Sequence, residues 1–178
     1  IGKDMDKAFI DEVLKLSLSP EAIKRQHDLK IVYTPIHGAG IMLVPAALKA
    51  AGFTNIINVP EQDVISGEFP TVVSPNPEEP AALELAVKRA IETDAEIVMA
   101  TDPDADRIGT AVRNNDGEFV LVNGNQTMIL YLYYLITRWK ELGKLTGKEY
   151  AVKTIVTTEL VSKIAAKHGV DLFDSYTG

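Results

Sequence analysis

The stretch Ile97-Val98-Met99-Ala100-Thr101-Asp102-Pro103-Asp104-Ala105-Asp106-Arg107-Ile108-Gly109 holds most of what the sequence says about fold and chemistry. Ile97 to Ala100 is a short apolar run that reads as a buried strand. An acidic loop follows, and Ile108 to Arg113 with Glu118 to Val122 then flank Asn114-Asn115-Asp116-Gly117, whose Asp-Gly pair signals a hairpin. Three aspartates at alternate positions in an extended segment point their side chains to one side. At about 5 Å and an effective dielectric near 20, each pair repels by roughly 3 kcal/mol, against under about 1 kcal/mol in bulk water. The end of a buried strand is where open α/β sheets place their ligand crevice, so partial burial is expected there. Carboxylates packed in that setting call for a cation, and the absence of Cys or His from the loop favours Mg²⁺, with Mn²⁺ or Ca²⁺ as substitutes, over zinc.

Other readings of the loop remain open at this level. Its aspartates serve equally as caps of a surface turn with Arg107 as counter-charge, or as a phosphatase pair in which Asp102 attacks and Asp104 acts as acid and base. An EF-hand is excluded, because its sixth and twelfth positions need Gly and Glu and here hold Arg107 and Arg113.

Upstream, Leu29 to Thr34 reads as a second buried strand, and Gly38-Ala39-Gly40 opens an Ala-rich helix to about Ala51. Strand, glycine loop and helix make half of a βαβ unit. Backbone N–H groups of such a loop can cradle an anion such as phosphate, with His37 as a further donor; a tight turn with a surface His is the plain alternative. If the two strands are parallel, the His37 and Asp102 loops leave the sheet on the same edge. Ile56 to Val59 reads as another strand, and Pro60 to Pro80 as a polar loop long enough to suggest function. Ser74 in that loop has no base beside it in sequence.

An amphipathic helix is expected over Asp4 to Ser17, and another from Pro80 with Leu83, Val87, Ala90 and Ile91 as its apolar stripe. Asn125 to Leu142 is apolar on more than one face, so it is expected to lie deep between layers, with Tyr131, Tyr133 and Tyr134 in the core. Tyr150 to Val156, Leu160 to His168 and Val170 to Phe173 repeat strand, helix, strand. The expected fold is α/β, three-layer α/β/α, with mixed, mainly parallel sheets flanked by helices and a domain boundary near Val122.

Composition sets the outer limits. The 178 residues carry 18 Lys+Arg against 25 Asp+Glu, a net charge of -7 that argues against nucleic acid as a partner. The longest apolar run, Met128 to Ile136, is far shorter than the roughly 20 residues of a membrane helix. The lack of cysteine removes disulfides and thiolate chemistry and accords with a reducing, cytoplasmic setting. Ile1-Gly2-Lys3-Asp4 and Tyr176-Thr177-Gly178 both read as cuts through a longer chain.

Thr101 to Arg107 resembles the metal-binding loop of the α-D-phosphohexomutases, the phosphoglucomutase and phosphomannomutase family. Thr34-Pro35-Ile36-His37-Gly38-Ala39-Gly40, and Phe69-Pro70-Thr71 through Pro75-Asn76-Pro77-Glu78, resemble its phosphoglucomutase-2-like and phosphopentomutase subgroup. The resemblance implies a four-domain enzyme, with residues 1–122 as its second domain and 123–178 as the start of its third. It also implies Asp102, Asp104 and Asp106 as Mg²⁺ ligands and Arg107 as the catalytic partner of the transferred phosphoryl group. His37, Gly38, Thr177 and Gly178 become sugar-phosphate contacts by the same analogy. The reaction it implies moves phosphate between C1 and C6 of a hexose through a phosphoserine and a glucose 1,6-bisphosphate-type intermediate, the bisphosphate also serving as activator. No Ser-His-Asn phosphoserine motif occurs here, so the remaining domains must supply it and the 178 residues alone should be inactive. A non-catalytic metal or sugar-phosphate binding module is the alternative.

Overall fold

The computed structural model describes residues 2–177, which divide into two compact units between Val122 and Asn123. The first unit runs α1 (Lys3–Lys15), α2 (Pro20–Arg25), β1 (Lys30–Thr34), α3 (Gly40–Ala51), β2 (Asn55–Asn58), α4 (Pro80–Thr93), β3 (Ile97–Thr101), β4 (Ile108–Arg113) and β5 (Phe119–Val122). Its five strands lie in the order β2-β1-β3-β4-β5. β2, β1 and β3 are parallel, and β4 and β5 return antiparallel.

Alternation along β1 assigns the two faces of this sheet. Val32 packs with Ala86 and Ala90 of α4, Val98 of β3 and Ala111 of β4, whereas the next residue, Tyr33, reaches toward Gly40 at the start of α3. α1 lies against α3, so helices cover both faces and the expected three layers are present. Val32, Val98, Ala100 and Ala111 are fully buried, and the strands that hold them are apolar because water reaches neither face. α4 begins with Pro80 at its first turn and ends on Asp94 in the left-handed region (φ 52°), where Ala95 N donates to Ala90 O at 2.8 Å. α2 was not expected from the sequence; Pro20 in its first turn, after Ser19, is the signal that marks it.

The second unit runs α5 (Gly124–Glu141), β6 (Tyr150–Thr154), α6 (Leu160–Lys167) and β7 (Asp171–Ser175), with β6 and β7 parallel. α5 starts on a capping box, Asn123 Oδ1 accepting from Gln126 N and Gln126 Oε1 from Asn123 N. Ile136, Ala165 and Val170 form its small core. The expectation that α5 lies deep between layers is not met: Ile136 alone of its residues is buried. Leu130, Tyr131 and Tyr133 are about half exposed, so the tyrosines are not core residues. Two strands and one further helix give α5 a single wall, which covers one stripe of a helix apolar on more than one face. Among the described residues no helix is long and apolar enough to cross a membrane.

Candidate functional site

The acidic loop leaves β3 at the carboxyl edge of the first sheet. Asp102 is buried and closes the loop on itself: its backbone carbonyl accepts from Ala105 N at 3.0 Å, Oδ1 from Arg107 N at 3.0 Å, and Oδ2 from Arg107 Nε at 2.7 Å. Ala105 takes the left-handed conformation (φ 60°). The three aspartates therefore converge through a turn, not through the alternation of an extended segment. One carboxylate oxygen from each of Asp102, Asp104 and Asp106 lies within 4.8 Å of the others, and the last two side chains are exposed.

The charges show what this convergence costs. Burial pushes the Asp102 carboxyl up, but the Arg107 backbone N–H and guanidinium outweigh it and hold the group below the usual carboxylate range. Asp106 is held above that range by its hydrogen bond to Asp102 and by the Asp104 charge. A divalent cation among the three removes that repulsion, and the donors are all hard oxygens, so the residues fit Mg²⁺ or Mn²⁺. Among the described residues this is the one such cluster.

Two further loops wall this one in. A Cβ on Gly38 would lie 2.3 Å from Pro103 Cα, and Ala39 N donates to Pro103 O at 2.8 Å, so backbone meets backbone between Asp102 and Asp104. On the other side a Cβ on Gly109 would fall 2.0 Å from Pro77 O. Arg107 Nη1 donates to Asn76 Oδ1 at 3.4 Å. The structure thus brings Gly38, Asp102, Asp104, Asp106 and Arg107 to one edge of the sheet, as the parallel pairing of β1 and β3 requires.

The anion cradle expected at Gly38, Ala39 and Gly40, with His37 as a further donor, is largely taken up by internal hydrogen bonds. His37 N donates to Gln62 O, Gly38 N to Pro35 O and Ala39 N to Pro103 O, so these three N–H groups are already used. The His37 ring is buried, with Nδ1 2.8 Å from Val64 O and Nε2 2.8 Å from Thr71 Oγ1, and has no donor left for a ligand. Its role is internal. Gln62, which sequence reasoning passed over, is fully buried beside it and accepts from Thr34 Oγ1 at 2.7 Å. Thr177 is exposed in the second unit after β7, and Gly178 lies outside the described residues. Ser74, which has no base beside it in sequence, meets one across the loop, its Oγ donating to Glu79 Oε1 at 3.1 Å in an exposed contact.

Residues 7–117 match the model of the family described as phosphoglucomutase/phosphomannomutase, alpha/beta/alpha domain II. The chain belongs to the phosphoglucomutase/phosphomannomutase family. It is 35% identical over 178 residues to a phosphoglucomutase of Staphylococcus saprophyticus, covering 100% of this chain and 31% of that protein. It is 36% identical over 171 residues to the Homo sapiens phosphopentomutase, covering 94% of this chain and 28% of that one. A crystal structure of a phosphoglucomutase/phosphomannomutase family protein from Burkholderia thailandensis superposes with a TM-score of 0.67 at 20% identity, over 93% of this chain and 33% of that one. That last likeness speaks to the mutase-family fold. The chain spans under a third of the length of the two curated relatives.

Proposed function

We propose that this chain carries the metal-holding part of a phosphosugar mutase, an intramolecular phosphotransferase. In this reading the first unit is the enzyme's second domain and the second unit the start of its third. The observation that carries it is the Asp102, Asp104, Asp106 and Arg107 cluster, placed at the sheet edge in a chain of this family. The three aspartates would hold Mg²⁺, with Mn²⁺ as a substitute, and the bound ion would supply positive charge to the transferring phosphoryl group. Asp102 fixes Arg107 through its backbone N–H and Nε. Nη2 of this half-exposed side chain, with the N–H of Nη1 that Asn76 does not take, would then meet a phosphoryl oxygen. Glu79 anchors Asn76, whose Oδ1 steadies the same guanidinium from the far side.

The phosphoserine and the sugar-recognition residues belong, in this proposal, to other parts of a longer cytoplasmic protein, activated by a glucose 1,6-bisphosphate-type compound. Relatives named phosphoglucomutase and phosphopentomutase stand at nearly equal identity, so a pentose phosphate is the second substrate to test. The test is a coupled assay on the longer protein with Mg²⁺ and a trace of bisphosphate, following glucose 1-phosphate to glucose 6-phosphate and then a pentose 1-phosphate. Isomerisation that collapses in Asp104→Asn supports the proposal. Silence on both sugars, with metal still bound, favours the binding-module reading, and turnover by the 178 residues alone overturns the assigned roles.

A further inference from the structure

The strongest unexplained feature of the first unit is a buried polar side chain on strained backbone. Ile36 and His37 both sit at positive φ, 45° and 63°, a conformation that non-glycine residues keep only where their surroundings impose it. Four contacts impose it at His37. Its N donates to Gln62 O at 3.0 Å and its O accepts from Ser66 N at 3.2 Å. Nδ1 faces Val64 O and Nε2 faces Thr71 Oγ1, each at 2.8 Å. Every polar group of this residue is thus spent on one segment, residues 62–71.

Hydrogen-bond direction along this network follows from its ends. The Val64 carbonyl can only accept, so the His37 Nδ1 carries the proton. Ile36 N donates to Thr34 Oγ1, Thr34 Oγ1 to Gln62 Oε1, and Gln62 Nε2 to Thr71 Oγ1. The Thr71 proton is then free to go to His37 Nε2. Gln62 Nε2 gives its second proton to Ala82 O at 3.4 Å, and the network as a whole fits an Nδ1–H imidazole whose Nε2 accepts.

We propose that His37, as this tautomer, is a positioning residue for the acidic loop. It locks the strained turn whose next residue, Gly38, abuts Pro103 between two of the aspartates. It also ties down the segment that leads to Asn76 and Pro77, on the other wall of the same loop. The inference rests on the metal reading above; groups bonded directly to metal ligands alter affinity by about 10- to 100-fold, and His37, one contact further out, acts at the lower end of that range.

The test has two readouts on the 178-residue chain. Imidazole ¹⁵N spectra at neutral pH are expected to show His37, assigned by its loss in His37→Asn, with a protonated Nδ1 and an unprotonated Nε2. Mn²⁺ titration followed by electron paramagnetic resonance is expected to show about tenfold weaker binding in Thr71→Val, and near-parent binding in Thr71→Ser, which restores the hydroxyl. An Nε2–H or doubly protonated ring overturns the proposal, whatever the metal titration shows. So does parent-like Mn²⁺ affinity in Thr71→Val, or a loss that Thr71→Ser does not restore. Failure of the parent chain itself to bind Mn²⁺ overturns the metal reading first and removes what His37 would position.

Discussion

The two units use the same order of strand, helix and strand, yet their strands live in different surroundings. In the first, Val32, Val98 and Ala111 are fully buried under helices on both faces. In the second, Tyr150, Val152 and Phe173 are more than half exposed on one face of β6 and β7, with Tyr150 and Phe173 edge to face at 5.8 Å. Apolar pattern alone does not bury a strand; a second layer does. The acidic loop can carry a buried carboxylate because the sheet behind it is closed on both faces, and the second unit offers no equivalent setting among its described residues.

Five tests would break or sharpen this contrast, and the protein contains a convenient probe. Its one tryptophan, Trp139, lies in the second unit beside Leu132, Leu135 and Val170, so its fluorescence reports that unit while far-UV circular dichroism reports both. Gly109→Ala should have the largest effect, about 3 kcal/mol, because the new methyl group meets the Pro77 carbonyl. Urea unfolding followed by circular dichroism should shift while the Trp139 transition stays put. Val98→Ala should cost about 2 kcal/mol in the same assay, as a cavity under α4. Coincident shifts of both probes would show that the units unfold as one block.

The pH limits should also differ. Burial, against the Thr101 hydrogen bond and with help from Asp63, pushes the Tyr33 phenol up to about 12. A raised folded value means that its contribution is intact below the unfolded value of 10.0 and is lost as pH rises toward 12, so the first unit should weaken on the alkaline side. Glu149 behaves oppositely. Backbone N–H groups of Thr146 and Gly147 and the Thr146 hydroxyl hold its carboxyl down to about 2. Its contribution is therefore present above the ordinary glutamate range and lost as pH falls toward 2, which carboxyl ¹³C titration would detect in the second unit. Smallest of all, Phe173→Ser should change stability by no more than about 0.5 kcal/mol, since that face is open. A loss above about 2 kcal/mol would show that the face is covered in solution.

Local rules were enough for much of this architecture. The Asp116-Gly117 turn, the glycine loop before α3, the proline that starts α4 and the acidic loop after β3 all depend on neighbours a few residues away. What escaped the sequence depends on distance. His37 and Gln62 look like ordinary polar loop residues until their partners, 34 and 28 residues off, close around them. Asn76 meets Arg107 across 31 residues of chain. α5 misled for the opposite reason: its composition promised two walls, and the strands and helix around it provide one.

The hairpin between β4 and β5 has a practical use. Gly117 adopts φ 84° with open space around it, and Asn114 Oδ1 ties the turn by accepting from Asp116 N and Glu118 N, both at 2.9 Å. β4 carries the chain from the acidic loop to the opposite edge of the sheet, roughly 20 Å away for six residues. A dye, an affinity peptide or a surface tether inserted after Asn115 would therefore report on, or immobilise, the protein with Asp104 and Asp106 left facing the solution.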